Sequence, residues 1–254
     1  PMRFKKNGLL IAASTTILLS FAGIRAAEKN KSEILTTPAN PAKTWSDSMA
    51  TKEASAEEIT IRLYSFLKLD SLGLDEPAFQ QALKGWQKLK MQGLLDRESI
   101  MTIADFSQPS TRKRLYVIDM EQQKVLYNTY VAHGRNSGKE QAIHYSNRPS
   151  SYQSSPGFYR TEGTYYGSNG YSLRLKGLEK GINDNANRRA IVMHGADYVN
   201  ESLIRNQGYL GRSQGCPAIP VKLTRPIINT IKDGSCLFIY TPVTQYAQRS
   251  SLVK

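Results

Sequence analysis

The chain is short of the side chains on which much enzyme chemistry rests: its 254 residues hold 2 cysteines and 3 histidines. His133, His144 and His194 are widely separated, and no H-x-x-x-H or C-x-x-C spacing pairs two ligands, so no metal and no cofactor is expected. Two cysteines leave room for a single structural Cys216–Cys236 disulfide, and that alternative stays open at this point. Zinc-finger, RNP and helix-turn-helix signatures are missing, which excludes the usual nucleic-acid readers. No internal repeat is evident. Acids are scarce as well, 21 Asp and Glu against 34 Lys and Arg, for a formal charge of +13. That balance suits an anionic partner such as an acidic membrane surface or a cell-wall polymer, or it is only a solvated surface. With 40% hydrophobic residues, the length supports one good-sized core and a small satellite, not two large domains.

The N-terminus holds one diluted apolar stretch, Leu9 to Ile24, interrupted by Ser14, Thr15, Thr16 and Ser20. The cationic head Met2-Arg3-Phe4-Lys5-Lys6 precedes it, and small residues stand at Ala22, Ala26 and Ala27. Residues 1–27 therefore read as a secretory signal cleaved near Ala27, in preference to a retained membrane anchor, because the stretch is near the lower limit for spanning a bilayer. Loss of Arg3, Lys5, Lys6 and Arg25 lowers the charge from +13 to +9. Export points to the periplasm or cell envelope. Residues 28–57, rich in Ser, Thr, Ala, Lys and Pro with Trp45 as the one aromatic, read as a flexible linker.

From Ala56 the apolar residues Ile59, Leu63, Phe66 and Leu67 recur at helical spacing. Asp75 before Glu76-Pro77 signals a second helix, with Phe79, Leu83, Trp86 and Leu89 on one stripe. Residues 58–103 are thus expected to form a small helical N-terminal subdomain. From Arg114 the period becomes two, and runs at 115–119 and 125–132 flank a hairpin turn. Further strands are expected at 157–161, 172–175, 190–194 and 236–241, with helices at 203–207 and 222–232, the latter interrupted by Pro226. The polar stretch 136–155 is expected to be a long loop. The fold class is α+β, with a mostly antiparallel sheet in a catalytic domain over residues 104–246.

The scarce residues concentrate the chemistry. A cysteine nucleophile needs a base or a positive field, because an ordinary thiol titrates at about 8.5. It also needs N–H groups aimed at the oxyanion that forms when a carbonyl is attacked. In Arg212-Ser213-Gln214-Gly215-Cys216-Pro217 the small Gly215 permits a tight approach, and the N–H groups of Gly215 and Cys216 are candidate oxyanion donors. Pro217 biases Cys216 toward an extended backbone. His194, at the end of the run Ala190 to Met193, is the candidate base, against the plainer reading of a hydrogen-bonded core histidine. Cys236 lies in an apolar run that suits a buried strand.

His194-Gly195-Ala196-Asp197-Tyr198-Val199 followed by Ser213-Gln214-Gly215-Cys216-Pro217-Ala218 resembles the paired active-site segments of the murein L,D-transpeptidase catalytic-domain family, in the YkuD-like superfamily. Residues 105–110, 131–138, 154–159 and 171–187 resemble it too, so the similarity runs from about residue 103 to 241. The resemblance implies a β-rich catalytic domain that attacks the carbonyl between the third residue and D-Ala of a peptidoglycan stem peptide. It maps the nucleophile to Cys216, the base to His194, the carbonyl that orients the imidazole to Gly195, and a supporting hydroxyl to Ser213. The resulting thioester would pass to an amine, giving a cross-link, or to water, giving carboxypeptidase activity. Two departures stand out: Gln214 occupies the place of a second histidine, and Ala218 that of an Arg or Asn. Arg212, Arg188 and Arg189 are candidates to replace the lost cation, and Gln214, His133 and Asn185 are further candidates for substrate binding. A basic peptidoglycan-binding module without turnover is the alternative from another class.

Overall fold

The structure is a computed structural model that describes residues 55–254; the expected signal and all but the last three residues of the expected linker lie outside the described residues. Helices α1 (Ala56–Phe66) and α2 (Glu76–Met91) come first. Ser55 caps α1, its hydroxyl accepting from the Glu58 N–H while the Glu58 carboxylate accepts from the Ser55 N–H. Asp75 stands at the N-cap of α2, where its N–H donates to Asp105 Oδ2 at 3.1 Å and so pins the helix start to the sheet. Strands β1 (Ile100–Asp105), β2 (Leu115–Asp119), β3 (Lys124–Thr129), β4 (Gly157–Gly167), β5 (Gly170–Gly177) and β6 (Val192–Gly195) follow. After them come α3 (Glu201–Gln207), β7 (Ala218–Ile219), α4 (Val221–Ile231), β8 (Cys236–Tyr240) and α5 (Thr244–Arg249).

The strands form one sheet in the order β3-β2-β1-β8-β4-β5-β6-β7. Only β1 with β8 and β6 with β7 run parallel; the other neighbours are antiparallel, as expected. The β2–β3 turn is the expected one, and the Asp119 carboxylate closes it by accepting from the N–H groups of Glu121 and Gln122.

Two apolar layers cover the sheet. In β8, Cys236, Phe238 and Tyr240 face the layer of α1, α2 and Tyr246, whereas Leu237 and Ile239 face the layer of Ile227, Ile228 and Ile231 from α4. The Phe238 ring stacks on Phe158 with 4.2 Å between centroids. Full burial of each such side chain is worth about 1.5–3 kcal/mol. Helix α2 reaches this layer closely at Gly85, where a Cβ would lie 2.0 Å from the Phe158 ring.

The fold is α+β and β-rich, with its helical segment N-terminal, and residues 52–254 group as one unit. The expected boundary at residue 103 runs through β1, because Ile100–Asp105 is a central strand and α1 and α2 share their core with the sheet. Pro226 lies inside α4 without breaking it. The carbonyl that its missing N–H would have satisfied belongs to exposed Lys222, where water can serve. Cys216 and Cys236 are both free thiols, so the disulfide alternative is overturned; Cys236 is consumed by the core of β8.

Candidate active site

Parallel pairing of β6 with β7 places His194 beside Ala218, two residues beyond Cys216. The turn that carries Cys216 is held at both ends by the segment 132–135. The Ser213 N–H donates to the His133 carbonyl at 2.9 Å, the Arg135 N–H to the Ser213 carbonyl at 2.8 Å, and the Ala132 N–H to the Ala218 carbonyl at 2.8 Å. Gly134 makes this approach possible, since a Cβ there would lie 2.5 Å from the Tyr152 carbonyl oxygen and 2.9 Å from the Gly215 Cα. Inside the turn, Ser213 Oγ donates to the Cys216 carbonyl at 2.6 Å and accepts from the Gly215 N–H at 3.0 Å.

Cys216 and His194 open on the same cleft, about 580 Å³ in volume. Arg135, Tyr152, Arg189, Tyr198 and Arg212 also line it, with Ser213 and Gln214. A second cleft of about 560 Å³ shares His194 and Tyr198 with it and is lined further by Gly195, Tyr171, Thr224 and Arg225. His194 Nδ1 is 2.9 Å from the Gly195 carbonyl. Burial holds this imidazole below its ordinary pKa, against the opposing pull of that carbonyl. A carbonyl can only accept, so the neutral ring carries its proton on Nδ1 and leaves Nε2 as a free lone pair.

No hydrogen bond joins His194 to Cys216 among the described residues. The Cys216 thiol instead donates to the Ala190 carbonyl, 3.6 Å away, and its sulfur accepts from the Val192 N–H at 3.5 Å. Burial pushes the thiol above its ordinary pKa; the Val192 N–H and the Arg189 charge pull the other way. The resting pair is therefore thiol and neutral imidazole, not an ion pair.

The other expected site residues divide. Arg212 and Gln214 line the cleft, Arg212 donating to the carbonyls of Arg135 and Gly138, each at 3.2 Å. His133 does not: it is fully buried, accepts from Arg114 Nη2 at Nδ1 (2.7 Å) and donates from Nε2 to the Gly138 carbonyl (3.2 Å). Burial, then the neighbouring Arg114 charge, drives its pKa down to about 3. Asn185 is likewise spent on structure, its backbone N–H and Nδ2 both donating to Asn147. Arg188 is exposed and outside the cleft lining, whereas its neighbour Arg189 enters, since successive residues of a turn cannot point the same way. Of the two expected oxyanion donors, the Gly215 N–H is already bound to Ser213 Oγ, which corrects that expectation. The N–H groups of Gln214 and Cys216 have no acceptor among the described residues.

Arg135, Tyr152 and Tyr198 line the cleft without being among the expected site residues. The Arg135 guanidinium lies 4.1 Å from the Tyr152 ring centroid, and Tyr152 and Ser150 hold left-handed backbones (φ 56° and 58°). Arg135 and Tyr198 lie within the quoted segments 131–138 and 194–199, which was the available signal; nothing in the local sequence marked Tyr152.

A family model described as L,D-transpeptidase catalytic domain matches residues 71–240. No curated protein sequence matches the chain. Similar solved structures include an L,D-transpeptidase from Mycobacterium smegmatis, at 12% identity and a TM-score of 0.35, covering 56% of this chain and 59% of that one. An L,D-transpeptidase from Stackebrandtia nassauensis follows at 14% and 0.34, covering 64% and 65%. The helical cell shape determining protein Pgp2 of Campylobacter jejuni is similar at 11% and 0.38, covering 63% and 55%. The chain thus spans about three fifths of the length of these relatives.

Proposed function

The chain belongs to the L,D-transpeptidase catalytic domain family, and from that premise we propose that it transfers acyl groups of peptidoglycan stem peptides through a thioester on Cys216, with His194 as base. The observation that carries the reading is the shared cleft, in which His194 offers a bare Nε2 while Gly195 holds Nδ1. Attack forms the bond from Cys216 Sγ to the stem-peptide carbonyl carbon, and the thiol proton passes to His194 Nε2. The oxyanion is received by the free Cys216 N–H, with the Gln214 N–H available beside it. Ser213 takes no part in bond making; its two hydrogen bonds fix the turn that aims the Cys216 N–H. Collapse breaks the bond to the D-Ala nitrogen, which leaves with the proton from His194. An acceptor amine, for which the adjoining cleft beside His194 gives room, then displaces the thiol, or water does. Arg212 and Arg135 supply cations for the carboxylates of the stem peptide. A peptidoglycan substrate calls for a location in the cell envelope, a reading that the signal pattern expected over residues 1–27 supports, and the basic charge suits an acidic polymer.

A tetrapeptide donor or a carbapenem is expected to add covalent mass to the protein. The proposal fails if Cys216→Ala gains the same mass as the parent. Muropeptide products separate the acceptors, because a cross-linked dimer and a trimmed tripeptide differ in mass. The second reading, a wall-binding module without turnover, draws on the raised Cys216 pKa and the missing hydrogen bond to His194. It requires salt-sensitive binding to sacculi that survives Cys216→Ser, with no product from any muropeptide.

A further inference from the structure

Arg189 is more than one cation among several in the cleft. Its Nη1 donates to the Ser146 carbonyl at 2.7 Å and to Ser155 Oγ, and its Nη2 to Ser151 Oγ at 3.2 Å and the Gln153 carbonyl at 2.5 Å. One guanidinium thus gathers four points of the loop 146–155. The same Nη2 lies against the nucleophile turn, since a Cβ built on Gly215 would stand 3.2 Å from it. Ala190, the next residue, holds a left-handed backbone (φ 53°), and its carbonyl accepts from the Cys216 thiol.

All four partners are neutral, and no carboxylate pairs with Arg189 among the described residues. A half-buried charge without a counterion is costly, and here burial lowers the pKa of the guanidinium itself. Holding the loop together would need only donors; it would not need a charge. Among the described residues no acid lines this cleft, and Asp197 lines the adjoining one. The groups that face Cys216 are neutral His194 from β6, Tyr198 just after it and Tyr159 from β4, with Arg212 and Arg135 along the cleft wall. The one group on these walls that becomes anionic in the proposed reaction is the sulfur.

We propose that Arg189 is a positioning residue for Cys216, a guanidinium that fastens the loop 146–155 to the cleft wall and sets a fixed positive charge where the reacting sulfur becomes an anion. This rests on the acyl-transfer reading of Cys216. In the step concerned, the S–H bond breaks, the proton goes to His194 Nε2 and the electron pair stays on sulfur, so the charge at Cys216 falls by one beside a cation already in place. It also answers the departure at position 214: where a second histidine is lacking, a permanent cation from the turn before β6 supports the thiolate.

Alkylation of Cys216 by iodoacetamide across pH, followed by the mass of the peptide that contains it, reads the thiol directly. Arg189→Gln keeps donors but removes the charge. Its alkylation midpoint is expected to rise, and its rate at neutral pH to fall about tenfold or more, as loss of a close opposite charge requires. Arg189→Lys keeps the charge without the fan of donors. It is expected to hold the midpoint near the parent's while hydrogen exchange in residues 146–155 accelerates. A folded Arg189→Gln with the parent's midpoint overturns the proposal. Should circular dichroism show Arg189→Gln unfolded, Arg189→Lys decides, since a midpoint well above the parent's would overturn it equally. Acylation by a tetrapeptide donor is scored separately: a parent that never acylates sinks the transferase reading and leaves the alkylation comparison to stand on its own.

Discussion

Acid is expected to loosen this protein through His133. The folded pKa of that residue is about 3, against 6.5 when it is unperturbed, because burial and the Arg114 charge disfavour the imidazolium. A depressed folded pKa means that the unfolded chain takes up the proton first. The contribution is therefore whole above about 6.5 and is lost as pH falls toward about 3. Linkage gives a loss of about 2 kcal/mol by pH 5 and about 3.4 kcal/mol by pH 4. Those are large fractions of a typical domain stability of about 5–15 kcal/mol. Geometry agrees on the direction, since protonation of Nδ1 would set a donor against the Arg114 Nη2 donor 2.7 Å away. The assay is urea unfolding at pH 7, 6, 5 and 4 for the parent and for His133→Asn, which keeps an acceptor but cannot titrate. His133→Asn is expected to be the less stable at pH 7, with the gap closing by about 2 kcal/mol at pH 5. A gap constant to within about 0.5 kcal/mol over that range, about a quarter of the change that linkage gives by pH 5, would refute the reasoning. Because the His133 carbonyl also accepts from the Ser213 N–H, the acid-weakened region adjoins the nucleophile turn.

Ser213→Ala strands the buried Gly215 N–H and removes the hydroxyl donor to the Cys216 carbonyl. It should cost about 2–3 kcal/mol in urea unfolding and slow acylation about 10- to 100-fold, whereas Ser213→Thr keeps most of both; a freely acylating Ser213→Ala would dismiss the turn as the source of aim. At Gly195 a Cβ would lie 2.1 Å from Thr224 Oγ1 and 3.3 Å from the Val221 Cα. Gly195→Ala should therefore lower Tm and tilt the carbonyl that holds His194, and Thr224→Ala in the same chain should restore part of the Tm; no recovery would mean that the clash lies elsewhere.

The strands rich in β-branched and aromatic residues and bounded by turn signals were legible. Leu115–Asp119 is buried on both faces and Lys124–Thr129 is largely half-buried, with a polar turn between, and the structure turns where the sequence does. Ile100–Asp105 was not legible as a strand: it is as fully buried as β2 and β8, but it follows a helical stripe and holds Ala104 and Asp105, which favour strands poorly. A doubly buried strand shows a continuous apolar run, which periodicity cannot tell from a helix. At the site, scarcity made His194 and Cys216 visible, and they do share a cleft. Sequence order gave no way to choose between Arg188 and Arg189, since the choice depends on the direction of a turn. His133 and Asn185 looked like binding groups because they are polar within motif segments. Their hydrogen-bonding capacity goes instead to buried or adjoining chain, to Arg114 and Gly138 and to Asn147. The loss of Gly215 as an oxyanion donor was invisible for a similar reason: it depends on where a serine hydroxyl two residues earlier comes to rest.

Strand β8 has a consequence for the order in which the protein can be made. It is the last of the described strands in sequence, yet it lies fourth in the sheet, between β1 and β4. A chain released only as far as residue 235 has two half-sheets, β3-β2-β1 and β4-β5-β6-β7, each with a raw edge where β8 belongs. Threading from the N-terminus delivers this wedge after every other described strand, so the half that carries His194 and Cys216 cannot be braced against the half that carries α2 until residues 236–240 have emerged. Such long-range closure slows folding. It also makes the bracing of the cleft depend on residues 236–240.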